Sequence, residues 1–246
     1  MLEMISSALF SCAKDTEKLN QDNILAPKRV SNGYLFAVAD GVGSYEGARQ
    51  ASSIAIDYLS NLTEISLDKS FEFSLNNIVD EIAALTSIDP NYDQAATTLT
   101  MCFVNETGLK VVHVGDSRLY LKVGLKLEKI TTDHTQHQKL LDAGLFTAKQ
   151  LKNMSGKNVL TTALSKKIQL EIQETFISLQ DLLDENGDFI LHLMSDGAYH
   201  YWEKRPKFSE KTLNNPSAFS TSLQRRIEKN GAVDDYSLVS VKFRAS

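Results

Sequence analysis

"TTLTMCFVNETGLKVVHVGDSRLYLKVGLKLEKIT" (97–131) holds four short runs with strand character, at residues 97–104, 109–114, 118–123 and 125–131. Each is apolar or alternating and rich in Val, Leu, Thr or Tyr, and "NETG", "GDS" and Gly124 between them read as hairpin turns. Links that short join antiparallel strands, since a parallel pair needs a much longer crossover. Working outward, "YLFAVAD" (34–40) is an apolar run bounded by Asn-Gly and Asp-Gly, a buried strand. After it, Ala48, Ala51, Ala55, Tyr58 and Leu62 share one helical stripe, and Phe71, Leu75, Ile78, Ile82 and Leu85 form a second.

Beyond the central runs, residues 134–153 read as short helices with loops, and residues 168–179, 189–196 and 236–243 return to strand pattern. The segment 216–231 starts with Pro and ends with Gly, the asymmetry of a helix. The N-terminal "MLEMISSALFSCAKD" has Glu3 where a secretory signal wants cations, so it reads as a first strand. Strands in the middle with helices on either side predict an α+β fold: antiparallel sheets covered by helices, in one domain over 1–246.

Composition sets limits on function. With 246 residues, 42% hydrophobic and 23% charged, the chain can bury a core without staples. Its two cysteines make no disulfide framework, and Cys102 in an apolar run reads as a small buried hydrophobe, which points to a reducing compartment. A net charge of −5 with no basic stripe argues against nucleic acid. No run approaches the roughly 18 apolar residues of a membrane span. A cytoplasmic location is expected.

Asp40 ends a buried-looking strand and meets no basic residue until Arg49. A lone carboxylate there is costly to desolvate. Asp196 ends "ILHLMSD", Asp234 and Asp235 precede "YSLVSV", Asp116 follows "VVHVG", and Asp22 lies early in "LNQDN". Any one of these acids is most simply a turn or cap residue. Their recurrence at strand ends would gather carboxylates on one rim of the sheets, where they repel each other unless cations neutralise them. Oxygen ligands with few histidines suit Mg²⁺ or Mn²⁺, and a paired-metal site suits hydrolysis of phosphate esters.

In order along the chain, "NQDN", "FAVADGVGS", "ATTLT", "VVHVGDSRLYL", "TTDHT", "LTTAL", "LMSDGAY" and "DDYSLVSV" resemble the motifs of the metal-dependent (type 2C) serine/threonine protein phosphatases, from about Asn20 to Val241. The resemblance implies a four-layer α-β-β-α sandwich with two Mn²⁺ or Mg²⁺ ions in a cleft at one edge of the sheets. Asp40 matches the metal-bridging carboxylate, Gly41 a backbone carbonyl ligand, and Asp196 and Asp234 two further metal ligands. Asp22 matches an acid holding metal-bound water, Asp116 a ligand of a weaker third ion, and Asp235 an outer residue behind the ligands. In that scheme a metal-bridging hydroxide attacks phosphoserine or phosphothreonine with no phospho-enzyme. The short, tail-free form suggests a bacterial source, phosphoprotein substrates, an opposing Ser/Thr kinase and a monomer.

Several positions depart from the pattern. Glu17 stands where the family normally carries an Arg to grip substrate phosphate, leaving Lys18 or Lys14 as point charges without the guanidinium fork. Val42 replaces a His of many eukaryotic members, so leaving-group protonation is expected from metal-bound water. Ser44 replaces the second Gly of a Gly-Gly pair, and Gln21 replaces a Glu. His200, four residues after Asp196, occupies the place of an Asp that helps bind the third ion; imidazole there favours Mn²⁺, and a plain surface role is the other reading.

Other readings fit less well. "GVGSYEG" lacks the βαβ context and ribose-binding acid of a dinucleotide loop. No Gly-x-Ser-x-Gly elbow supports a nucleophilic serine at Ser195 or elsewhere, His134 reads as a structural hydrogen-bonder, and His113 and His192 as core histidines. The main alternative is a catalytically silent relative that binds a phosphoprotein or kinase: Glu17 favours it, while Asp40, Gly41, Asp196 and Asp234 oppose it. Specificity is expected from residues 137–157 and 202–211, with Trp202 beside Tyr201 as a recognition surface or a half-buried pair.

Overall fold

The structure is a computed structural model that describes residues 1–15, 17–43, 46–65, 70–151 and 154–245. Ser44, singled out above, lies outside the described residues. In chain order the N-terminal half comprises β1 (Leu2–Cys12), β2 (Asn23–Val30), β3 (Gly33–Ala39), α1 (Ala48–Ser60), α2 (Glu72–Ala84), β4 (Ala96–Thr97), β5 (Leu99–Val104) and β6 (Gly108–Val114). Then come β7 (Arg118–Val123), β8 (Lys126–Lys129), α3 (Gln136–Asp142), α4 (Ala148–Leu151), β9 (Leu164–Ser165) and β10 (Gln173–Ser178). The chain continues with α5 (Leu179–Leu182), β11 (Asp188–Met194), α6 (Asp196–Lys204), α7 (Glu210–Leu213), α8 (Pro216–Asn230) and β12 (Tyr236–Ala245).

Two five-stranded sheets form, in the orders β1-β12-β11-β7-β8 and β10-β6-β5-β3-β2, with β4 and β9 as a separate small ribbon. Neighbouring strands pair antiparallel in both sheets. Antiparallel strands usually alternate apolar and polar residues because one face meets water. Here β3, β5, β6 and β11 are buried at every residue. The contacts explain it. Leu35, Ala37 and Ala39 of β3 pack with Leu75, Ile78 and Ile82 of α2. Tyr34, Phe36 and Val38, on the opposite face, pack with Leu191, Val239 and Phe243 of the other sheet. Met194 and Leu238 then meet Trp202, Phe219 and Leu223 of α6 and α8. The result is the four-layer α-β-β-α sandwich expected above, with three apolar interfaces rather than one.

Local chemistry sets the helix ends. In α8, Pro216 occupies the first turn, the Asn215 side chain accepts the Ala218 N–H at 2.9 Å, and Gly231 follows the helix at φ 78°. The stripes predicted over α1 and α2 are realised: Ala48, Ala51, Ala55, Leu75, Ile78 and Ile82 are buried.

Four expectations change. "GDS" is no hairpin turn, because β6 and β7 belong to different sheets and residues 115–117 carry the chain from one to the other. Gly115 makes the corner at φ 110°, its N–H donating to His134 Nδ1 at 3.1 Å. The strand read over 168–179 begins at Gln173. The strand read to residue 196 ends at Met194, and Asp196 opens α6, a helix the alternating apolar pattern before it obscured. Tyr201 and Trp202 are buried at 3% exposure each in the α6–α8 interface, which rules out a recognition surface there.

Candidate functional site

β3 delivers Asp40 to the rim of the second sheet. The Asp40 N–H donates to Thr98 Oγ1 at 3.1 Å, and its carbonyl accepts from Thr98 N at 2.8 Å and Thr97 Oγ1 at 3.0 Å. The backbone is therefore held on both sides of the carboxylate. Gly41 follows, bridged to Thr97, and a Cβ there would stand 2.8 Å from the Ala48 carbonyl oxygen and 2.9 Å from that of Gln21. Only glycine lets the first turn of α1 come this close.

Asp196 reaches the same rim from the start of α6, Asp234 and Asp235 from the loop before β12, and Asp116 from the crossover between the sheets. Asp40, Asp116, Asp196, Asp234 and Asp235 line one cavity of about 760 Å³, together with Gly41 and Gln21. Asp22 sits behind it, 4% exposed. Its Oδ2 accepts from Ser195 Oγ at 2.8 Å, while Oδ1 is buried without a hydrogen-bond partner. Ser195 Oγ also accepts the Ser237 N–H at 2.9 Å. The strand-end acids thus converge, as sequence spacing suggested.

Their environment is electrostatically costly. Burial, then the charges of Asp22, Asp196, Asp116 and Asp234, hold the Asp40 carboxyl well above the usual carboxylate range. Burial also raises Asp116, with Asp196 and Asp133 adding to it against Arg118. Asp196 is raised by burial and by Asp234, and Asp22 by burial with Asp196 and Asp235 adding. Among the described residues no three Asp, Glu, His or Cys side chains stand close enough to grip one ion directly between them. The acids instead surround a volume large enough for hydrated ions. Mg²⁺ and related hard cations keep several waters and bind through few carboxylates, so an all-oxygen wall of this width, with an orphaned carboxylate oxygen behind it, fits them.

The remaining candidates separate. Asp235 clamps the chain: its Oδ1 accepts the Lys14 N–H and its Oδ2 the Gln21 N–H, both at 2.7 Å. Gln21 acts through its backbone, whose carbonyl also accepts Ser52 Oγ at 2.6 Å. Lys18 lines the cavity beside Lys14 and Arg49, and Glu17 is not among the lining residues. His200 is exposed on α6 against Tyr201 and does not line the cavity.

His134 holds Gly115 as a structural hydrogen-bonder, and His113 is satisfied by Thr100 and by the Thr132 carbonyl. His192 bonds Ser240 at Nδ1, but its buried Nε2 has no partner. Sequence reasoning missed Ser195 as the partner of Asp22 and Thr98 as the brace of Asp40. Ser195 carries no sequence signal beyond its place next to Asp196, and Thr98 none beyond its place in "ATTLT".

Arg118, beside Asp116, is fully engaged. Its Nε donates to Asp133 Oδ1 at 2.9 Å, it pairs with Glu203, and its guanidinium lies 3.8 Å from the centre of the Tyr199 ring.

Comparison with known proteins gives a consistent picture. Residues 13–239 match the family described as protein phosphatase 2C. The serine/threonine phosphatase Stp of Listeria monocytogenes is 26% identical over 186 residues, spanning 72% of this chain and 71% of that protein. The serine/threonine protein phosphatase PstP of Mycobacterium tuberculosis is 31% identical over 150 residues, 59% of this chain and only 28% of PstP. The crystal structure of the PstP catalytic domain in complex with two manganese ions superimposes over all of both chains with a TM-score of 0.74 at 24% identity, a likeness of fold.

Proposed function

Because this chain belongs to the protein phosphatase 2C family, we propose that it hydrolyses phosphoserine and phosphothreonine in proteins, using two divalent cations, Mn²⁺ or Mg²⁺. The observation that carries this reading is the gathering of Asp40, Asp116, Asp196 and Asp234 on one cavity, where burial and mutual charge oppose ionisation of Asp40, Asp116 and Asp196. Carboxylates crowded in this way call for a cation between them. Asp40, the Gly41 carbonyl, Asp196 and Asp234 would hold the pair, and Asp116 a weaker third ion. When bound, the cations supply a water acidic enough to serve as nucleophile near neutral pH.

The chain's own residues position that chemistry. Thr97 and Thr98 fix the Asp40 backbone, and Ser195 fixes Asp22. Ser195 is fully buried, with its hydroxyl donating to Asp22 and accepting from Ser237, so it is not a nucleophile and no phospho-enzyme forms on it. Phosphoproteins made by a Ser/Thr kinase are the substrates we assign, with the protein acting as a monomer in a bacterial cytoplasm. Among the described residues no helix is long and apolar enough to cross a membrane.

Hydrolysis of p-nitrophenyl phosphate and of phosphothreonine peptides, measured with Mn²⁺ and with chelator, tests the proposal. Turnover that requires Mn²⁺ is the expected result. A flat response under both conditions would favour phosphoprotein binding without turnover.

A further inference from the structure

The cavity presents a wall of acids, and the two cations proposed for it would meet some oxygens of a phosphate ester; holding and orienting the others calls for a cationic side chain at the rim. Among the described residues that line it, the cations are Lys14, Lys18 and Arg49. Arg118 lies close to Asp116 but is committed to Asp133 and Glu203. Lys14 and Lys18 lie in the segment between β1 and β2, and each offers a single flexible ammonium.

Arg49 differs in how its backbone is held. It lies in the first turn of α1, directly after Ala48, whose carbonyl is packed against Gly41. Ser52 Oγ lies 3.0 Å from the Arg49 carbonyl and 2.6 Å from that of Gln21, next to Asp22. The first helical bond, Ala51 N–H to the Gly47 carbonyl at 2.9 Å, closes the same turn. The Arg49 stem therefore rises from backbone tied to Gly41 and to the Gln21–Asp22 segment before β2.

Arg49 is exposed, lines the cavity, and makes no ion pair with a described residue. The site does not suit a cation for the helix's own sake, since the N-terminal turn favours negative charge and this one contains no acid. A planar fork on a fixed stem, facing a cavity of carboxylates, fits two oxygens of a phosphomonoester.

We propose that Arg49, rather than Lys18, grips the substrate phosphate through its guanidinium. This rests on the phosphatase reading above. It implies that the phosphate enters beside the start of α1.

The test compares Arg49→Ala, Arg49→Gln and Lys18→Ala with the unaltered protein. Three quantities are measured: kcat and KM for p-nitrophenyl phosphate, the inhibition constant for inorganic phosphate, and Mn²⁺ affinity by calorimetry. For both Arg49 variants KM and the phosphate inhibition constant should rise 10-fold or more, with Mn²⁺ affinity held. Arg49→Lys should recover only part of the loss, because an ammonium lacks the fork.

Unchanged phosphate affinity in both Arg49 variants overturns the proposal, as does a loss confined to Lys18→Ala. If the unaltered protein showed no turnover, the phosphatase reading would fail by itself. Calorimetric binding of inorganic phosphate in the presence of Mn²⁺ then decides the role of Arg49: binding that is lost in Arg49→Gln supports it. Binding that persists there, or is absent from the unaltered protein, overturns it.

Discussion

The carboxylate of Asp235 accepts the backbone N–H of Gln21 at 2.7 Å, joining residues 214 positions apart. With the matching bond from Lys14 it ties the segment between β1 and β2 to the start of β12, so the two ends of the chain meet at the cavity. Charge-assisted bonds of this kind contribute about 1.5–3 kcal/mol each. The Lys14 bond is exposed and screened by solvent, and loss of the charge relieves Asp22 and Asp196, so Asp235→Ala should destabilise the fold by about 1–3 kcal/mol. Urea denaturation checks this, and a midpoint equal to that of the unaltered protein would show the clamp to be idle.

Gly197 sits where α6 passes that loop. A Cβ on it would fall 2.1 Å from the Asp235 carbonyl oxygen and 3.0 Å from that of Asp234. The facing atoms are backbone, so the Asp234–Asp235 segment must shift, and overpacking costs about 1–3 kcal/mol. Gly197→Ala should lower the melting temperature and displace Asp234, so Mn²⁺ affinity should fall with stability. A variant with intact Mn²⁺ affinity in calorimetry would argue that the loop moves freely.

Ser195→Ala removes the hydroxyl that donates to Asp22 Oδ2 at 2.8 Å and leaves the Ser237 N–H without its acceptor. Two buried groups lose partners, each loss being worth about 1–3 kcal/mol. The expected result is a less stable protein that still turns over slowly, because Ser195 orients Asp22 and does no covalent chemistry. Complete inactivity in well-folded Ser195→Ala would revive the serine nucleophile.

Asp40→Asn removes one negative charge from a buried group of acids. Turnover and Mn²⁺ binding should disappear. In chelator, the same variant should melt at a higher temperature than the unaltered protein, since the cost of burying the carboxylate, and then its repulsion from Asp22, Asp196, Asp116 and Asp234, is removed. Differential scanning calorimetry with and without Mn²⁺ reads both effects. A lower melting point in chelator would mean that the Asp40 carboxylate has a stabilising partner.

Acid stability should depend on a site far from the cavity. The Arg244 guanidinium bonds Asp188 at 2.6 Å and Lys242 lies 2.7 Å from it, which hold the carboxyl down at about 2. An ordinary Asp titrates near 3.9 in the unfolded chain. A folded value below the unfolded one stabilises the protein above pH 4, and that contribution is lost as pH falls from about 4 to 2. Denaturation midpoints measured across this range should drop more steeply for the unaltered protein than for Asp188→Asn. Parallel curves would assign the acid sensitivity elsewhere.

The sequence by itself determined most of the strands and the longer helices α1, α2 and α8, because their signals are local; β2, at Asn23–Val30, went unread. "YLFAVA", "LTMCFV" and "FILHLM" are almost wholly apolar, as suits strands covered on both faces, and Pro216 and Gly231 punctuate α8. It also marked the acids of the cavity, since a carboxylate that ends an apolar run is conspicuous along the chain. Tertiary structure alone decided the rest. "GDS" crosses between sheets, although its three residues look like a hairpin turn, because where β7 finds its partners is fixed by β11, some 70 residues on. The bond from Ser195 to Asp22 spans 173 positions, and Arg49 reaches the cavity only because Gly41 lets α1 pack against β3. Such contacts leave no periodicity in the sequence: the energy that selects them comes from burial and charge between groups that only the folded chain brings together.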